Sequence, residues 1–74
     1  MRVHVTLKGA LAERLPGGAG EVELPEGSTV ASLGRALGLP GRQCVVVVNG
    51  AAAKPDAPLA EGDRVQVFPP MAGG

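Results

Sequence analysis

Along residues 1–8, Met1, Val3, Val5 and Leu7 alternate with Arg2, His4, Thr6 and Lys8. A period of two sends successive side chains to opposite faces, so this segment predicts a strand with one buried face. Gly9, Pro16, Gly17, Gly18 and Gly20 then break the pattern and predict a loop over 9–20, with a short turn around Leu11 to Leu15. Alternation returns in Glu21-Val22-Glu23-Leu24, a second short strand ended by Pro25. The two strands are expected to pair as an antiparallel hairpin.

The period changes after Gly27. Ser28 or Thr29 can cap a helix by accepting from an orphan backbone N–H, and Val30, Leu33 and Leu37 at i, i+3 and i+7 form one stripe for the sheet. Ser32 and Arg35 are expected to point outward. Gly34 weakens such a helix by roughly 1 kcal/mol relative to Ala, so it depends on packing. Gly38 is the expected stop, and Pro40-Gly41 cannot continue the helix. Cys44 through Val48 is an unbroken, mostly β-branched run, which predicts a central strand covered on both faces. Asn49-Gly50 follows as a type I′ hairpin signal, with 51–53 as the return strand. Residues 54–59, with Pro55 and Pro58, read as irregular, and Glu61-Gly62-Asp63 turns into a last strand over Arg64 to Phe68.

The expected order is β-β-α-β-β-β in one domain over residues 1–74, with 69–74 as an extended tail. One helix on a mixed sheet of four or five strands is an α+β two-layer arrangement, and a hairpin, a crossing helix and a second hairpin match the β-grasp pattern.

Composition narrows the function. The 74 residues suit one small domain, and 12 Gly with 7 Pro require many loops. With a single Phe and neither Trp nor Tyr, the core must come from Val, Leu and Ala. Seven basic and seven acidic residues leave no electrostatic footprint for nucleic acid or an anionic membrane. No apolar run approaches the roughly 18 residues of a membrane span, and the alternating start is unlike a signal peptide, so a cytoplasmic location is expected. One cysteine, Cys44, excludes a disulfide framework, a Cys-based zinc site and a four-Cys iron–sulfur cluster. No metal site is expected.

Most candidate features read blandly. His4 is expected to be a solvated strand residue. Cys44, heading the most apolar run, is expected to be a buried small hydrophobe with its thiolate suppressed. Leu15-Pro16-Gly17-Gly18-Ala19-Gly20 lacks the Gly-Lys-Ser/Thr ending of a phosphate loop and reads as a hairpin connection. Glu21, Glu23 and Glu26 read as a solvated edge that discourages strand association, with protein docking as the alternative.

The C-terminal stretch differs. Phe68 shares parity with Arg64 and Gln66 and opposes Val65 and Val67, so alternation places it on the face away from the helix. There it either covers the far side of the sheet or serves as an exposed apolar anchor for a partner. Pro69 and Pro70 hold the chain extended, and Gly73-Gly74, without Cβ atoms, could enter a narrow channel and present a carboxylate. An ordinary frayed tail is the alternative.

The stretch Pro58-Leu59-Ala60-Glu61-Gly62-Asp63-Arg64-Val65-Gln66-Val67-Phe68-Pro69-Pro70-Met71-Ala72-Gly73-Gly74 resembles the ending of the molybdopterin synthase small subunit, within the MoaD/ThiS family of ubiquitin-like sulfur carriers. Leu24-Pro25-Glu26-Gly27-Ser28-Thr29-Val30 resembles that family's approach to its helix, and Val48-Asn49-Gly50 its hairpin. The first strand lacks the aromatic-rich opening of many molybdopterin small subunits. The resemblance implies a β-grasp carrier, not an enzyme alone, whose Gly74 carboxylate is adenylated by an E1-like enzyme and converted to a thiocarboxylate. It implies that Phe68, Pro69, Pro70, Met71, Ala72 and Gly73 meet the partner. It also implies a molybdopterin synthase large subunit that receives the tail and a sulfur donor such as a cysteine desulfurase. It implies no bound cofactor on the chain, with ATP used by the activating enzyme.

The leading expectation is sulfur donation to molybdenum- or tungsten-cofactor synthesis. Alternatives are a carrier for the thiamin thiazole or tRNA thiolation, a ubiquitin-like modifier joined through Gly74 to lysines, and a passive β-grasp module that never uses its carboxylate.

Overall fold

The computed structural model describes residues 1–39 and 44–70. The expected helix stop at Pro40-Gly41 and the tail residues Met71, Ala72, Gly73 and Gly74 lie outside the described residues. The strands are β1 (Arg2–Leu7), β2 (Ala19–Glu23), β3 (Val45–Val48), β4 (Ala51–Ala53) and β5 (Arg64–Phe68), and the helix is α1 (Val30–Leu37). They form one mixed sheet in the order β2-β1-β5-β3-β4, in which only β1 and β5 run parallel. With α1 packed on one face, this is the expected β-grasp arrangement.

The period-two pattern explains which face is buried. Val3, Val5 and Leu7 of β1 and Val65 and Val67 of β5 are all almost fully buried. The parallel register pairs Val5 with Val65 and Leu7 with Val67, so the two central strands present one continuous apolar surface. Val30 and Leu33 of α1 press onto it, with Leu11, Leu24 and Leu59 closing the core from the connections. Burial of this aliphatic surface, about 25 cal/mol per Å² removed from water, is the main term favouring the fold.

The caps of α1 follow from side-chain chemistry. Thr29 is the N-cap: its Oγ1 accepts from the Ser32 backbone N–H at 3.2 Å, and the Ser32 hydroxyl accepts from the Thr29 N–H at 3.2 Å. Ser32 was expected to point outward, and instead it is half-buried, because a hydroxyl at this position can reach back to the N-cap amide. Gly38 ends the helix in the left-handed conformation (φ 69°), with its N–H on the Arg35 carbonyl, as Gly in that role predicts.

Other expectations need adjustment. The loop over 9–20 contains two 3-10 turns, Gly9–Arg14 and Pro16–Gly18, and the first buries Leu11. The second strand starts at Ala19, two residues before the alternation becomes legible, because Thr6↔Ala19 and Val5↔Gly20 continue the ladder. The 54–59 stretch carries no strand but has a defined role. The first-turn amides of Val30 and Ala31, which have no partner inside the helix, donate to the carbonyls of Ala57 and Pro55 at 3.0 and 2.9 Å. Leu59 then enters the core, 5% exposed, and its N–H donates to Ser28. Asn49 and Gly50 both take positive φ (51° and 86°), the signature of the type I′ turn between β3 and β4.

Candidate functional site

The sheet has one helix-covered face and one open face, and β5 lies at its centre. Parity along β5 sends Arg64, Gln66 and Phe68 to the open face, where Phe68 is half-buried. The antiparallel register sets Val45 directly opposite Phe68 and Val47 opposite Gln66. Val45 is 50% exposed, the most exposed large apolar side chain among the described residues. Phe68, Val45 and Val47 therefore make an apolar strip across β5 and β3, with Ala52 beside Val47 on β4.

The expectation that Cys44 to Val48 is covered on both faces is corrected here. β3 is an interior strand, but α1 covers only the face carrying Val46 and Val48, and among the described residues no element covers the face carrying Val45 and Val47. An apolar run has no alternation to show which face is solvated, so Val45 and Val47 could not be assigned from sequence. Only their register against Phe68 and Gln66 reveals them. Cys44 is half-buried, not fully buried, and lines an apolar groove with Leu33, Leu39, Val46, Ala53 and Pro55.

The other half of the open face is charged. His4 is exposed on β1 in register with Arg64 and with Glu21 of β2. Arg2 lies 3.8 Å from Glu21 through exposed side chains, so the pair adds little to stability. Glu21 and Glu23 stand on the edge strand β2, as the sequence suggests, and Glu26 lies 3.5 Å from the Met1 ammonium. No group of three His, Cys, Asp or Glu among the described residues could hold a metal ion. No described helix is long and apolar enough to cross a membrane.

The start of β5 is fixed by a polar clasp. Asn49 Nδ2 donates to Asp63 Oδ1 at 2.9 Å, and Asn49 Oδ1 accepts from the Arg64 N–H at 2.9 Å. Asp63 Oδ2 accepts from the Ala60 N–H at 2.8 Å, closing the turn before the strand. At the other end, the Lys8 N–H donates to the Val67 carbonyl at 2.9 Å. Phe68 is thus carried by the best-supported strand of the sheet, held from β1, β3 and the β3–β4 turn. Pro69 and Pro70 follow half-buried and outside any strand, as ring nitrogens without N–H require. Of the sequence-predicted site, Phe68, Pro69 and Pro70 adjoin one another at the strand's end, whereas Met71, Ala72, Gly73 and Gly74 are beyond the described residues.

The sequence profile of the ThiS family matches residues 5–74. Among solved structures, the chain is similar to SAMP1 from Haloferax volcanii, with 26% identity, a TM-score of 0.78 and full coverage of both chains. It is equally similar to a Pyrococcus furiosus protein described as molybdopterin converting factor, subunit 1: 26% identity and TM-score 0.78 over 95% of this chain and 98% of that one. A chain of the Helicobacter pylori complex of molybdopterin-converting factor subunits 1 and 2 shares the fold at 23% identity, with a TM-score of 0.63 and both chains fully covered. No curated protein matches the chain.

Proposed function

The chain belongs to the ThiS family, and from that premise we propose that it is a sulfur carrier working through a thiocarboxylate on Gly74. The observation that carries this reading is the way the family match runs through residue 74 while β5, the best-held strand, ends at an open-face Phe68 followed by Pro-Pro and a double glycine. Residues 1–74 act as a single β-grasp carrier with 69–74 as its extended tail. It is not an enzyme alone but the sulfur-bearing subunit of a transferase.

The chemistry follows from leaving groups. A carboxylate cannot expel oxide. Transfer of AMP from ATP to the Gly74 carboxylate releases pyrophosphate and makes an acyl-adenylate. A hydrosulfide equivalent then attacks the carbonyl carbon, the bond to the phosphate oxygen breaks, and AMP leaves with its electron pair. The chain supplies no catalytic groups for this. An E1-like enzyme binds the ATP, and a donor such as a cysteine desulfurase supplies the sulfur as a persulfide, whose S–S bond a thiol reductant cleaves with two electrons to leave sulfur at the hydrosulfide level. Phe68 with Val45 and Val47 forms the apolar anchor for a partner, while Pro69, Pro70, Met71, Ala72 and Gly73 lead the terminus into its active site. The likeness to molybdopterin converting factor subunit 1, and the subunit 1–subunit 2 complex of the H. pylori protein, support the large subunit of molybdopterin synthase as the acceptor. This work takes place in the cytoplasm, where ATP and reduced sulfur donors coexist.

One finding favours a second reading: the equal likeness to H. volcanii SAMP1, also described as a small archaeal modifier protein. In that case the same acyl-adenylate passes Gly74 to a lysine amine. Intact-mass measurement after incubation with ATP, cysteine and an extract of the native cells separates the two. Exchange of one oxygen for one sulfur, absent when Gly74 is deleted, supports the carrier. Gly74-dependent higher-mass conjugates without that exchange support the modifier. Neither product, with a competent control carrier in the same extract, refutes both.

A further inference from the structure

The parallel pairing of β1 with β5 runs from His4↔Arg64 to Leu7↔Val67, and the Lys8 N–H extends it onto the Val67 carbonyl. Carried two residues further, the same register sets Gly9 beside Pro69. Gly9 has a left-handed φ of 56°, and a Cβ placed on it would lie 3.1 Å from Pro69 Cγ and 3.6 Å from Cδ. That first distance is tighter than ordinary van der Waals contact, so the half-buried proline ring rests on backbone that only glycine leaves bare. Gly9 is itself held in place. The Lys8 carbonyl before it accepts from the Leu11 N–H at 3.1 Å, and Leu11, two residues on, is locked in the core.

We propose that Gly9 is a positioning residue for the tail: it seats the Pro69 ring and thereby sets the direction in which the chain leaves the sheet toward Gly74. The inference rests on the carrier reading for its consequence, because adenylation needs the terminal carboxylate delivered to a nucleotide phosphate. Phe68 is held on the open face and Pro69 against Gly9, so the chain departs from two adjacent supported residues. A side chain at position 9 tilts the second support and leaves the first in place.

The test compares Gly9→Asn with Gly17→Asn. Asn tolerates left-handed backbone, Gly17 has a similar φ of 70°, and nothing lies within 4 Å of a Cβ there, so only the contact with Pro69 differs. In NMR spectra of the isolated chain, the wild type should show a cross-relaxation peak between the Gly9 Hα and Pro69 Hγ protons. Gly9→Asn should lose it and shift the Phe68 and 71–74 amide signals, while Gly17→Asn should leave both as they are. In ATP–pyrophosphate exchange with the E1-like enzyme of the same cells, Gly9→Asn should lower kcat about tenfold, short of the roughly hundredfold that a full ångström of misplacement can cost. Its KM should stay within about twofold, since the docking face is intact. Pro69→Ala removes the ring from the other side and should lower kcat likewise, which serves if Gly9→Asn does not fold. A missing wild-type peak, or equal spectra for the two Asn variants, overturns the inference. If the wild type supports no exchange, the carrier reading fails, and the NMR comparison still decides the role of Gly9.

Discussion

Asn49 makes the sharpest test of how β5 is held. It combines a left-handed backbone (φ 51°) with two side-chain hydrogen bonds, to Asp63 Oδ1 and from the Arg64 N–H, each 2.9 Å. Two substitutions separate these contributions. Asn49→Gly keeps the backbone freedom and removes both bonds; exposed bonds of this kind are worth about 0.5–1 kcal/mol each, so it should cost about 1–2 kcal/mol. Asn49→Ala keeps a Cβ in the left-handed region without the polar side chain that lets Asn adopt it, about 1–2 kcal/mol worse than Gly, for a total of about 2–4 kcal/mol. A chain of 74 residues has a total stability of roughly 4–11 kcal/mol, so the Ala variant removes a large fraction of it. Urea titration followed by far-UV circular dichroism, fitted with a common slope, measures both. Thermal midpoints should fall by about 4–8 °C per kcal/mol. Equal stabilities for the Gly and Ala variants would refute the backbone term. Both variants within about 0.5 kcal/mol of wild type would refute the clasp altogether.

Leu33 is 1% exposed at the centre of the helix–sheet contact, so Leu33→Ala should cost about 2–5 kcal/mol by the same titration. Gly34→Ala should do the opposite, raising stability by about 0.5–1 kcal/mol, because the site is helical and a Cβ there meets nothing within 4 Å. Phe68→Ala should separate binding from folding. Calorimetric titration against the proposed partner, the molybdopterin synthase large subunit, should show affinity reduced by about 2 kcal/mol or more, as for a central aromatic anchor, with a smaller loss of stability than Leu33→Ala. Unchanged affinity would remove the open face from the proposed docking surface.

Local chemistry determined much of this protein from sequence alone. Alternation in residues 1–8 and 64–68 assigned every inward and outward side chain of β1 and β5, including the open-face placement of Phe68, because a strand's period of two is a property of the backbone. A helix cap at Ser28 or Thr29, Gly38 as the helix stop and Asn49-Gly50 as a turn were legible for the same reason: each depends on a conformational preference within a few residues, and the structure then assigns the cap to Thr29. The family resemblance was legible where the motif is densest, from Pro58 to Gly74. Tertiary structure alone decided what requires distant segments to meet. The run Cys44 to Val48 has no period, so only its register against β5 shows that Val45 and Val47 share a face with Phe68. Leu59 looked like part of a loop, yet the unpaired first-turn amides of α1 draw the 55–57 carbonyls over and Leu59 follows into the core. The contact of Gly9 with Pro69 joins residues sixty positions apart in sequence, a separation fixed by the β1–β5 pairing. No local rule could supply it, because a parallel ladder is set by the pairing of two distant strands and not by either strand's own pattern.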